Sequence, residues 1–322
     1  MRPTSHPLAL ILAVAAALLG VGAGAAQESS APEAAAAFSD QVAVGWVMVP
    51  VIVRSGAGYA RNLDRDAFRL LVDGKPVSFT DFERRSDAPA SLLLLQDLSG
   101  SMTSRLSASR HILQFFLDNS LPGDEFALAT FAGDDLSVDV PFTPETAVLR
   151  EAAARWEAWG ATALHDAVAW MPEISFDSKN PKRFALLVTD GQDNASRITP
   201  EEARAIVQAA QLPTYVIGLG SGDPYKVTNG GAKVYRYADV LNLLAAATGG
   251  RYFDVSGADD LKEALKDILD DVRHQYVLGF ATGPGPTKFR PLKVEVKGSE
   301  RRTVVFRRGY TGTPPGRVAP GG

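Results

Sequence analysis

The sequence predicts an open α/β sheet, mostly parallel and covered by helices on both faces. A small all-β domain, built from the two ends of the chain, is expected to flank it. Three observations lead there. Short apolar runs alternate with helical periods between residues 89 and 273. Those runs are apolar throughout, as strands buried on both faces require. Strand patterns without helical periods occupy 41–88 and 274–311, and each is too short to bury a core alone.

Each element has its own signal. Val42–Val53 is valine-rich, Phe68–Val72 runs into the turn pair Asp73-Gly74, and Pro76–Phe82 follows as a further strand. Ser86–Ala90 reads as a linker. Ser91–Gln96, Phe126–Phe131, Phe184–Thr189 and Thr214–Leu219 are the continuous buried strands. Thr199-Pro200-Glu201-Glu202 sets a cap, a first-turn proline and a capping-box glutamate in order. Leu261, Leu265, Ile268, Leu269 and Val272 form one stripe on the last helix. Leu292, Val294 and Val296 alternate with Lys293, Glu295 and Lys297, a half-buried strand, and Arg302–Arg308 is another. The economical arrangement packs 274–311 against 41–88.

Composition narrows the function. Over 322 residues the hydrophobic fraction is 46% and the charged fraction 22%. These values exclude a disordered, collagen-like or multi-span membrane chain. The absence of cysteine excludes disulfides, thiolate metal sites and cysteine nucleophiles. His6, His111, His165 and His274 are too scattered for a histidine cage. A formal charge of −4 gives no support to a nucleic-acid partner.

The N-terminus reads as a targeting segment. Arg2 precedes an apolar run from Leu8 to Ala26, with small residues at Ala23 and Ala25 fitting a cleavage site. We expect a signal peptide over 1–26, then a leader over 27–40 without a fold. No other run is long enough to span a bilayer, so the processed chain is expected to be secreted or periplasmic. Residues 312–322, rich in Pro and Gly, read as a flexible tail.

The chemistry concentrates where the first buried strand ends, at Asp97-Leu98-Ser99-Gly100-Ser101. Open α/β sheets bind ligands at such strand ends. Asp97, Ser99 and Ser101 bring a carboxylate and two hydroxyls, hard donors that suit Mg2+, Mn2+ or Ca2+. Asp97-Leu98-Ser99-Gly100-Ser101 resembles the D-x-S-x-S motif of the von Willebrand factor type A domain. That family also places a threonine in a later loop, matched by Thr162 in Gly160–Leu164. It places an aspartate after the next buried strand, matched by Asp190 in Val188–Gly191. The resemblance covers about residues 89–273 and implies a three-layer, doubly wound sheet with one antiparallel edge. The hairpin from Phe126–Phe131 to Leu136–Phe142 matches that edge. The flanking segments are similar to those of secreted bacterial proteins of this family. The one local departure is His165, where relatives often carry tyrosine.

By this resemblance Ser99, Ser101, Thr162, Asp97 and Asp190 hold a divalent cation, Mg2+ first and Mn2+ or Ca2+ as alternatives. Two carboxylates and three neutral hydroxyls leave such an ion able to accept one more anionic oxygen. The implied function is a non-enzymatic adhesion module whose protein partner supplies an Asp or Glu. The alternatives are an envelope component with the metal as a staple, and a metal-dependent hydrolase with His165 or Asp166 as base. No G-x-S-x-G, H-E-x-x-H or P-loop supports turnover.

Neighbouring residues have two readings each. Asp193 and Asn194 read first as turn residues and second as supports for the site. Trp156 and Trp159 read first as core anchors and second as an aromatic rim. Residues 221–239, basic and tyrosine-rich around Asn229-Gly230, read either as a specificity hairpin beside the metal or as a solvated loop. Residues 273–310 hold nine Arg/Lys against two Glu. We expect those cations to face water or the acidic last helix, with contact to anionic polymer as the alternative.

Overall fold

A computed structural model describes residues 45–56, 58–209, 212–220, 236–282, 288–298 and 302–311. The expected signal peptide, leader, C-terminal tail and most of the 221–239 hairpin lie outside these residues.

The chain opens with β1 (Gly45–Ser55), β2 (Gly58–Tyr59), β3 (Phe68–Val72), β4 (Lys75–Val77) and β5 (Asp81–Glu83). The α/β region follows as β6 (Ala90–Asp97), α1 (Leu106–Asp118), β7 (Glu125–Ala132), β8 (Asp135–Thr143), α2 (Thr146–Ala154) and α3 (Leu164–Ile174). It continues through β9 (Lys182–Thr189), α4 (Pro200–Ala209), β10 (Thr214–Leu219), α5 (Tyr237–Thr248), β11 (Tyr252–Val255) and α6 (Ala258–Arg273). The chain ends with β12 (Tyr276–Thr282), β13 (Phe289–Val296), β14 (Arg302–Phe306) and β15 (Gly309–Thr311).

The central sheet runs β11-β10-β9-β6-β7-β8, all neighbours parallel except the β7–β8 edge pair. Every residue of β6, β7 and β10 is buried, which explains their largely apolar pattern. One face packs Ile112, Phe116, Leu149, Leu265 and Ile268 from α1, α2 and α6. The other packs Val168, Met171, Val207, Leu241 and Leu244 from α3, α4 and α5. The cap of α4 forms as its sequence requires. Glu202 Oε2 accepts from the Thr199 amide at 2.8 Å, and Thr199 Oγ1 accepts from the Glu202 amide at 3.2 Å.

The flanking strands form two facing antiparallel sheets, β14-β1-β12-β5 and β15-β13-β3-β4. Both mix strands from the two ends of the chain. Val47, Val49 and Val51 of β1 share a core with Leu70 of β3, Leu278 of β12 and Val294 of β13. The N- and C-terminal segments thus bury one another, which neither does alone. The expected single strand Pro76–Phe82 is instead two, β4 and β5, in opposite sheets. The break between them carries Phe79, 8% exposed, into the shared core. The expected strand Arg302–Arg308 ends earlier, at Phe306, as β14; β15 follows in the other sheet, with the buried Arg307 between them. β11 escaped the sequence reading because its four residues include only one fully buried position.

Polar contacts join sandwich and central sheet. Lys182 Nζ, at the start of β9, donates to the carbonyls of Arg85 and Arg273, one on each chain crossing. Arg273 pairs with Asp124 at 2.6 Å. Asp271 of α6 is fully buried and takes hydrogen bonds from Arg54, Tyr59 and Arg251. The acidic helix therefore finds its partners on β1, β2 and the approach to β11, not on the basic tail. Tail residues Arg290 and Lys293 pair with Asp73 and Glu295 inside the sandwich. Among the described residues, no helix is long and apolar enough to cross a membrane.

Candidate metal centre

The site begins where β6 ends. Asp97 is fully buried, an uncommon position for a carboxylate, and its oxygens are held on both sides. Oδ1 accepts the Ser99 amide at 2.8 Å, and Oδ2 accepts the Thr189 hydroxyl at 2.6 Å. Thr189 lies at the end of the neighbouring parallel strand, because β6 and β9 pair in register up to Gln96 opposite Val188. The Gly191 amide in turn donates to Thr189 Oγ1 at 3.0 Å. Burial pushes the Asp97 carboxyl up to about 6. The Asp190 charge adds to that shift, and the hydrogen bonds from Thr189 and Ser99 oppose it.

Ser99 and Ser101 point together, their hydroxyl oxygens 3.2 Å apart. The chain passes from Ser99 into a tight helical turn, Gly100–Arg105, which leads to α1. Asp190 follows Thr189 and is 2% exposed. Its Oδ1 accepts the Gln192 amide at 3.1 Å, and its Oδ2 lies 3.7 Å from Arg105 Nη1.

Thr162, also 2% exposed, lies in a loop whose backbone is tied to the serine turn. Gly160 O accepts the Gly100 amide at 3.1 Å, tying the loop to the serine turn. Gly160 has φ +68, and a Cβ there would lie 3.2 Å from the Gly133 amide nitrogen. Only glycine permits that backbone approach. On its other side, Thr162 is clamped by Asn194. Asn194 Oδ1 accepts the Thr162 amide at 2.8 Å, while the amides of Asn194 and Ala195 donate to Thr162 O at 3.0 Å. Asp193 holds the next turn by accepting from the His165 amide and the Ser196 hydroxyl. Asp193 and Asn194 thus support the threonine loop, against their first reading as plain turn residues.

All five sequence candidates therefore sit at one edge of the central sheet. Asp97, Ser99 and Ser101 are directly linked, Asp190 stands across β9, and Thr162 joins through its loop. Sequence reasoning missed Thr189 and Arg105. The adjacency of Thr189 to Asp190 is the one signal that pointed to the first, and nothing in the local pattern pointed to the second.

The two candidate bases are committed elsewhere. His165 is buried, its Nδ1 is 3.0 Å from Asp193, and burial holds its pKa below the ordinary value against the neighbouring acidic charges. Asp166 accepts the amides of Arg197 and Ile198. Trp156 is a core residue at 4% exposure. Trp159 departs from the core reading: it is 48% exposed, with its ring over Gly133.

The donor set suits a hard divalent cation. It offers two carboxylates and three hydroxyls at a strand edge, without nitrogen or sulfur. Burial is the main cause of the raised Asp97 carboxyl, and a nearby cation would oppose that shift. Among the described residues, no group of three or more His, Asp or Glu forms a metal cage. Any ion must draw on the hydroxyls.

Residues 92–192 match the family model of the von Willebrand factor type A domain. Over these residues the chain is similar to that domain. Similar solved structures include a von Willebrand factor type A protein from Catenulispora acidiphila, at 14% identity and TM-score 0.49, covering 83% of this chain and 72% of that one. The vWF domain of the type V pili tip protein Mfa5 from Porphyromonas gingivalis matches at 12% identity and TM-score 0.46, over 58% of this chain and 95% of that one. An aerotolerance-related membrane protein from Bacteroides fragilis matches at 18% identity and TM-score 0.46, over 57% of this chain and 98% of that one. No curated protein matches the chain by sequence.

Proposed function

We propose that this chain is an exported, non-enzymatic binding module that recognises an acidic group on a protein partner through a divalent cation. Asp97, Ser99, Ser101, Thr162 and Asp190 would hold the ion, Mg2+ before Mn2+ or Ca2+. When bound, the ion supplies a Lewis-acidic position for one carboxylate oxygen from outside. The observation that carries this reading is the buried Asp97 carboxylate, fixed by Ser99 and Thr189 beside the paired serine hydroxyls. A buried acid with no catalytic neighbour, set among neutral oxygens, is the arrangement a cation offsets.

The protein's own residues supply orientation. The Asn194 clamp sets Thr162, the Ser99 amide and Thr189 hydroxyl fix both Asp97 oxygens, and Gln192 fixes Asp190. Such supports limit the reorganisation that binding would require. His165 and Asp166 are engaged structurally, which favours binding over hydrolysis.

Calorimetric titration of the metal-stripped chain with Mg2+ and Mn2+, beside Asp97→Ala, tests the site. Binding heat in the parent and none in the variant is the expected result. Equal heats in both, or none in the parent even with acetate present, would remove the basis of the proposal.

A further inference from the structure

Arg105 stands where the metal-site reading assigns no residue. It lies one turn beyond Ser101, and its Nη1 donates to Ser101 O at 2.7 Å while standing 3.7 Å from Asp190 Oδ2. Gly220, at the end of β10, makes the room: a Cβ there would lie 2.8 Å from Arg105 Nη2. The guanidinium is therefore seated between Ser101, Asp190 and the Gly220 backbone. It is not sealed in. Its side chain is 32% exposed, and it lines an open groove of about 920 Å³ between α1 and the start of α6. That groove also carries Ser104, Ser107, His111 and, with opposite charge, Asp254.

Resting on the metal-site reading, we propose that Arg105 is the residue that makes this site select an anionic partner, by coupling cation uptake to the arrival of an external carboxylate. The charge count gives the reason. Asp97 and Asp190 bring two negative charges and Arg105 brings one positive. With a divalent ion the set carries one excess positive charge, and one carboxylate from outside neutralises it. Without Arg105 the two aspartates balance the ion by themselves, and the pull on an external anion weakens. Arg105 also competes with the ion for Asp190, so it lowers cation affinity until a carboxylate is present. Within a few ångströms, at partial burial, a unit charge changes binding by about tenfold or more. Arg105 acts through Asp190 and through the field at the site, so it is a positioning residue.

The test is Mn2+ titration of the full chain by calorimetry at pH 7.5, with and without acetate as the probe. It compares the parent with Arg105→Gln and Arg105→Lys. In the parent, acetate tightens Mn2+ binding. Arg105→Gln binds Mn2+ about tenfold more tightly than the parent without acetate, and acetate adds little. Arg105→Lys, which keeps the charge, restores the acetate dependence. A merely structural role for Arg105 would weaken Mn2+ binding on substitution, not strengthen it. Arg105→Gln binding Mn2+ no more tightly than the parent, or keeping the full acetate effect, would overturn this proposal alone. A parent that takes up no Mn2+ under either condition would overturn the metal-site reading and this proposal with it.

Discussion

Replacing Asp97 by asparagine should stabilise the metal-free protein at neutral pH while removing its response to metal. The carboxyl is fully buried and titrates at about 6, against an ordinary value of 3.8. The gap of about two units corresponds to roughly 3 kcal/mol of native-state cost once the group is ionised. Linkage sets the sign. Between pH 4 and 6 the native state holds the proton that the unfolded chain has lost, so stability falls as pH rises through that window. Asparagine keeps the shape and carries no charge. Its amide oxygen retains the Ser99 amide, but its NH2 meets a Thr189 hydroxyl already accepting from Gly191. That rearrangement costs about 1 kcal/mol.

The net expectation in EDTA at pH 7.5 is a variant more stable than the parent by about 1–2 kcal/mol. The advantage should vanish near pH 4. The assay is urea denaturation at both pH values, followed by tryptophan fluorescence, reading the midpoint at constant slope. Added Mg2+ should then raise the parent's midpoint by mass action and leave the variant unmoved. An Asp97→Asn protein less stable than the parent at pH 7.5, or a difference independent of pH, would refute the argument that this carboxylate is an uncompensated buried charge.

Other outcomes follow from the same contacts. Asn194→Ala leaves the buried Thr162 amide without its acceptor and should cost about 1–3 kcal/mol, with Mn2+ affinity lowered about tenfold by titration. Thr189→Val removes the hydroxyl on Asp97 Oδ2, so the pH midpoint for Mn2+ uptake should move upward in calorimetric titrations across pH. Burial lowers Lys182 to about 8, so the unfolded chain holds the extra proton between pH 8 and 10.5 and stability should rise across that window. The rise, about 3 kcal/mol, should flatten in Lys182→Met, as read by denaturation midpoints. Ile268→Ala on the buried stripe of α6 should cost about 2–5 kcal/mol by the same measurement.

The legible parts of this fold are those written in local pattern. Ser91–Gln96 and Thr214–Leu219 announced buried strands because parallel strands covered on both faces need every position apolar. Thr199 to Glu202 announced a helix start because a capping box closes within four residues. The step between β4 and β5 was not legible. The apolar Phe79 that interrupts it looks the same whether a strand continues or changes sheet. Asp193 and Asn194 were ambiguous for a similar reason. Turn residues and residues that clamp a distant loop share the same side chains, and only the position of Thr162 separates the roles.

By itself the sequence determined the fold class, the von Willebrand A resemblance and the placing of oxygen donors at the ends of apolar runs. Periodicity, turn chemistry and motif spacing are properties of neighbouring residues. The tertiary structure alone decided the surroundings of those donors. It set Thr189 against Asp97 across two strands, laid Arg105 against Asp190 over Gly220, and brought Arg54 and Tyr59 to Asp271 from more than 200 residues away. These contacts depend on strand order and on the joining of the two chain ends in one sandwich. Their energies come from burial and from partners far apart in sequence, which no local window contains.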